Sequence, residues 1–169
     1  MAVISQDWRA FFERGKESFD GVFTLQKYDD KGNVINAPVK RLKARSGARN
    51  YFKTEWVVGH SPIPRGNILI RAFPNNIGQT PGERGIGEFY PCSTNGKDLE
   101  IWENQLGNPA VPVGANTRRR TEIGIHGENS LPGSAGCIVI VDWDDFQIFR
   151  KTMKEIKGSG VTHVPLKVF

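Results

Sequence analysis

Short apolar runs alternate with polar connections punctuated by glycine and proline along most of the chain, a rhythm that predicts strands more than helices. "GVFTLQKYDDKGNVINAPVKRLKARSG" alternates about "DDKGN", a hairpin-type turn. Val22, Thr24 and Gln26 fall on one face there, and Phe23, Leu25 and Lys27 on the other. A further strand follows over residues 40–45, and "NILIRAF" reads as another after a polar loop and a Pro/Gly turn. Residues 74–87, rich in glycine and proline, read as a long loop. "EFYPCSTNGKDLEIWENQLG" reads as two short strands joined through "TNGKD", and "NPAVPVGANTRRRTE" as an irregular approach to a strand ending at His126. "THVPLKVF" closes the chain as a strand.

Two helices are expected. Trp8, Phe11, Phe12 and Phe19 stand at mostly helical spacing within residues 5–19, with Ser5 or Asp7 as N-cap. A second helix starts near Asp142 or Trp143 and ends at Gly158 or Gly160. Asp144 and Asp145 in its first turn and Lys154 and Lys157 near its end suit the helix dipole. The pattern thus predicts a mainly β (β-rich α+β) fold, a single compact domain with a helix near each end. Its single domain, 1–169, divides into an N-terminal helix (1–20), a core (21–141), and a helix with the final strand (142–169).

Composition narrows the function classes. With 38% hydrophobic and 24% charged residues, the 169-residue chain has a globular balance rather than a disordered one. No apolar run approaches the ~18–20 residues that cross a bilayer, so no membrane insertion is expected. The first twenty residues carry a charge by position seven and no long apolar stretch, so they do not read as a secretory signal. A net charge of +5 suits polyanions, but "VKRLKARSGAR" and "NTRRRTE" are short and lack interleaved aromatics, so nucleic acid is not an expected partner. His60 and His163 have no metal-ligand spacing to each other or to Cys137, and neither metal nor cofactor is expected.

One segment carries candidate chemistry. In "IGIHGENSLPGSAGCIVIVDW" two apolar runs flank a polar, Gly- and Pro-rich loop, with His126 at its start and Cys137 at its end. The whole chain holds three histidines and two cysteines, so this juxtaposition points to a nucleophile–base pair. An imidazole beside a thiol stabilises the thiolate and returns the proton to a leaving amine. "GSAGC" suits oxyanion stabilisation: Gly133 and Gly136 allow close backbone approach, and the amides of Gly136 and Cys137 are the natural donors. Cys92, in "YPCSTNG", reads as structural. Trp56, Tyr90 and Trp102 read as core more readily than as cleft lining.

"IHGENSLPGSAGCIVI" resembles the catalytic signature of the L,D-transpeptidase (YkuD-type) family, a His-Gly, a loop, and then Ser/Thr-His-Gly-Cys. "SPIPRGNILI" is similar to that family's Pro-x-Gly element before a strand, and the upstream "RSG" fits as well. The resemblance covers residues 21–141 and is greatest to the compact branch of antibacterial effectors and phage-type proteins. Three departures stand out: Ala135 replaces the histidine two before the cysteine, no arginine follows the cysteine, and eleven residues separate His126 from Cys137, fewer than in typical cell-wall members.

The resemblance implies an L,D-transpeptidase-like sandwich or barrel acting on peptidoglycan stem peptides. Cys137 would attack the carbonyl of stem residue 3, D-alanine would leave protonated by His126, and a thioester would remain. Ser134 would shape the oxyanion pocket or orient His126, or serve as a turn residue. A backbone carbonyl would orient the imidazole. Gly127 and Ala135 would line the substrate side. The carboxylate anchor would fall to Arg84, Arg118, Arg119 or Arg120, unless these form a solvated basic loop. An amine acceptor gives transpeptidation or D-amino-acid exchange; water gives L,D-carboxypeptidation. Work in the periplasm or cell wall without a signal peptide implies delivery by a secretion machine, by lysis or in a phage particle, with that machine, an immunity protein or the particle as partner. Two alternatives remain: a catalytically decayed module of the same fold with a wall-binding or virion-structural role, and a cytosolic cysteine hydrolase or redox enzyme of another family.

Overall fold

The computed structural model describes residues 2–14, 21–35, 40–46, 63, 65–77, 87–94, 97–98, 101–103, 118–120, 123–127 and 137–169. Among them, eight strands close into a ring. β1 (Trp8–Glu13) pairs antiparallel with β2 (Gly21–Lys27), and β2 with β3 (Lys40–Ser46). β3 continues antiparallel to β11 (Ile138–Ile140), which runs parallel to β10 (Gly124–Gly127). β10 then pairs antiparallel with β6 (Gly87–Thr94), β6 with β4 (Gly66–Arg71), and β4 with β12 (His163–Val168). The parallel pairing of β12 with β1 completes the circuit. β5 (Asn75–Ile77) and β7 (Lys97–Asp98) pair with β6 off the ring, and β8 (Ile101–Glu103) with β9 (Arg118–Arg120) forms a separate two-stranded sheet.

Alternation along each strand decides which side chains fill the barrel. Phe23 and Leu25 of β2 point inward with Leu42 and Ala44 of β3, Ile138 and Ile140 of β11, Ile125 of β10, Tyr90 and Cys92 of β6, Ile70 of β4, and Val164, Leu166 and Val168 of β12. The turn after β2 is built as its sequence suggests. Asp29 Oδ1 accepts from the amides of Lys31 and Asn33, and Gly32 adopts φ +81°, a left-handed conformation that costs glycine little.

The expected N-terminal helix is overturned: residues 8–13 are strand β1. Trp8, Ala10 and Phe12 are buried at a period of two, whereas Phe11, which had suggested a helical face, turns outward and stacks on Phe169. Pairing with β2 and β12 on both sides supplied what local spacing could not reveal. β5 likewise interrupts the loop expected over 74–87, and β9 lies within the segment expected to be irregular.

A single α-helix is described, α1 (Trp143–Gly158). Asp142 caps it, its side chain accepting from the amides of Asp144 and Asp145. Phe149 makes edge-on ring contacts with Phe23 of β2 and Tyr90 of β6, strands four places apart round the eight-strand ring, so the helix's apolar face closes the barrel interior. On the partly exposed side, the Arg150 guanidinium holds the Glu88 carboxylate of β6 through Nε and Nη2. The fold is mainly β, with one helix and a closed eight-strand barrel among the described residues. No described helix is long and apolar enough to cross a membrane.

Candidate active site

Parallel pairing of β10 with β11 sets Ile125 beside Ile138 and His126 beside Val139. Since Ile125 and Ile138 face the core, His126 and Val139 share the outer face. Cys137 stands one residue before β11, in step with Val139, and so belongs to that face too. An offset of two residues between adjacent strands puts the Cα atoms of His126 and Cys137 about 8 Å apart.

The same row continues across the neighbouring strands. Arg45 of β3 pairs with Val139, and Phe89 of β6 pairs with His126. Arg45, Val139, His126 and Phe89 therefore stand side by side on the barrel's exterior, with Cys137 diagonal to the row. All five are buried, yet none belongs to the interior core cluster: Arg45 is 3% exposed, His126 5% and Cys137 8%. Outer-face positions further along β3, Arg41 and Lys43, are exposed. This is a water-poor patch on the outside of the barrel.

His126 is held in a defined tautomer. Its Nδ1 lies 2.7 Å from the Gly127 carbonyl oxygen, which can only accept, so Nδ1 carries the proton and Nε2 is the basic nitrogen. Burial pushes the imidazole below its ordinary value; the Gly127 hydrogen bond opposes this in part, and the positive charge of Arg45 adds to it. The Phe89 ring lies 6.4 Å from the imidazole, centroid to centroid.

Two glycines make this packing possible. A Cβ on Gly124 would fall 2.6 Å from the Phe89 ring and closer still to the Tyr90 carbonyl oxygen. One on Gly127 would fall 2.8 Å from the Phe146 ring, so glycine here lets α1 press against the residue whose carbonyl holds His126. Neither Cys92 nor Cys137 is in a disulfide. Cys92 points into the barrel, where burial, and secondarily the charge of nearby Cys137, drives its pKa far up, so Cys92 remains a thiol.

Of the residues expected at the site, the structure brings His126, Gly127 and Cys137 together. Gly127, expected on the substrate side, serves here as the imidazole's hydrogen-bond acceptor and as the seat of Phe146. Arg84, Ser134, Ala135 and Gly136 lie outside the described residues, as do Gly133, His60 and Trp56. Arg118, Arg119 and Arg120 form β9, opposite Glu103, Trp102 and Ile101 in the separate sheet. Tyr90 sits in the barrel core, and His163 begins β12, three strands from β10 round the ring. Arg45 and Phe89 were not foreseen. In "KRLKARS" every second residue from Arg41 is cationic, which reads as a solvated strand face and conceals the burial of the last one. Among the described residues, no three His, Cys, Asp or Glu side chains gather as metal ligands. No family model, curated protein or solved structure matches the chain.

Proposed function

We propose that the chain is a cysteine-dependent enzyme that modifies peptidoglycan, an L,D-transpeptidase-like acyltransferase or carboxypeptidase acting on the bond between stem residues 3 and 4. The observation that carries the thiol chemistry is the sharing of one buried face by His126 and Cys137 on adjoining parallel strands, with Nδ1 committed to Gly127 and Nε2 left basic. The substrate class rests on the likeness of "IHGENSLPGSAGCIVI" to the L,D-transpeptidase signature.

In this reaction the Cys137 sulfur attacks the carbonyl carbon of residue 3, and its proton passes to His126 Nε2. Collapse of the tetrahedral intermediate breaks the carbon–nitrogen bond, and His126 returns the proton to the departing D-alanine amine. The thioester is then opened by an acceptor amine or by water, whose proton goes to Nε2 and on to the Cys137 sulfur.

The test is incubation of the protein and of Cys137→Ser with disaccharide-tetrapeptide muropeptides, followed by mass spectrometry. Loss of one alanine, a crosslinked dimer, or exchange with added D-methionine, in the wild type alone, is expected. No mass change with either protein, on Gram-negative and Gram-positive stem peptides alike, rejects the reading in favour of a catalytically decayed module.

A further inference from the structure

We propose that Arg45 is a positioning residue of this site, its guanidinium favouring the Cys137 thiolate that forms as His126, uncharged at rest, takes the thiol proton. The inference rests on the thiol chemistry proposed above but not on the identity of the substrate.

A resting thiolate–imidazolium pair needs an imidazole that accepts a proton readily. His126 is poorly placed for that, being almost wholly buried on the same face as a guanidinium. A thiolate in so dry a patch, in turn, is costly without a positive charge beside it. β3 supplies one. Arg45 pairs with Val139, and Val139 separates it from His126 in the row and stands two residues from Cys137. From Val139's neighbour the long side chain can reach both functional groups along the outer face. Arginine stays protonated where lysine or histidine would lose its charge on burial, so it is the suitable cation for such a place.

Of the cations on the outer face of β3, Arg41 and Lys43 are exposed and Arg45 is the buried one. Cys92 of β6 is a buried, neutral thiol, and the buried face of α1 carries Phe146, Phe149, Thr152, Met153 and Ile156. Burial and Arg45 both lower the basicity of His126, in keeping with an uncharged resting imidazole.

The experiment is the pH dependence of iodoacetamide alkylation at Cys137, read on the Cys137 peptide by mass spectrometry so that Cys92 does not contribute. Wild type, Arg45→Lys, Arg45→Gln and His126→Gln are compared, with folding checked by circular dichroism. A wild-type midpoint well below the ~8.5 of a free thiol is expected. Arg45→Gln should raise it by about one unit or more, slowing alkylation near pH 6 about tenfold, and Arg45→Lys, whose ammonium sheds its charge more readily on burial, should restore only part of the loss. His126→Gln should leave the midpoint low, and this arm decides the matter even if Arg45→Gln fails to fold. A midpoint that rises to that of a free thiol in His126→Gln overturns the inference, because the imidazolium would then be the counter-charge. So does an Arg45→Gln profile that matches wild type while only the KM for muropeptide rises, which would make Arg45 a substrate anchor. A wild-type midpoint near ~8.5 also overturns it. Muropeptide turnover is scored separately, so failure of the substrate assignment and failure of the Arg45 role are distinguishable.

Discussion

His126 combines two demands that usually conflict: it must be basic enough to take a proton, and it lies where a charge is poorly solvated. Because the fold holds its protonation below the ordinary ~6.5, the neutral base persists to lower pH, and the acid limb of kcat/KM for muropeptide turnover should fall below that value. Stability follows the same linkage. Between the lowered folded value and ~6.5 the unfolded chain binds more protons than the native one, so stability is complete above ~6.5 and declines as pH falls through that window. His163, also lowered by burial, acts in the same direction. Urea midpoints at pH 7.5 and 5.5 should show this decline, and His126→Gln should shrink it. At this scale the sequence was informative where rare residues coincide, as with His126 and Cys137 across one loop. It was silent about Arg45, because a buried arginine and its exposed neighbours Arg41 and Lys43 look alike until the strand pairing is known.

Elements were legible where their ends are chemically marked. Asp142, followed by acidic residues and closed by the glycines after Ile156, announces α1, and the helix runs over Trp143–Gly158 with that cap in place. Asp142→Ala removes the acceptor for two otherwise unbonded amides and should cost about 0.5–2 kcal/mol, read as a shift in the denaturation midpoint. The side chain is exposed, so the loss should come from the cap rather than from the core. β1 shows the opposite situation: two adjacent aromatics, Phe11 and Phe12, fit either period, and only partners distant in the chain select the strand. The sense of pairing between β10 and β11 was equally hidden, since hydrophobic runs flanking a loop are compatible with parallel or antiparallel neighbours.

For the whole molecule, closure depends on contacts that no local pattern encodes: β1 with β12, β10 with β6, and Phe149 between opposite walls. Phe149→Ala should therefore cost about 3–5 kcal/mol, whereas Phe11→Ala, which loses only a half-buried stack on Phe169, should cost far less. Thermal or chemical denaturation of the two variants checks the contrast. The β1–β12 seam has a further, mechanical meaning. Its strands run in the same sense, with the start of β1 beside the start of β12 and the Phe12 carbonyl accepting from the Phe169 amide at the far end. Tension applied between the chain entering β1 and the chain leaving β12 would draw the two strands lengthwise past each other. The load would fall on all the bonds of the seam at once rather than parting them in turn, so the barrel should resist stretching along this direction more than peeling of any antiparallel hairpin.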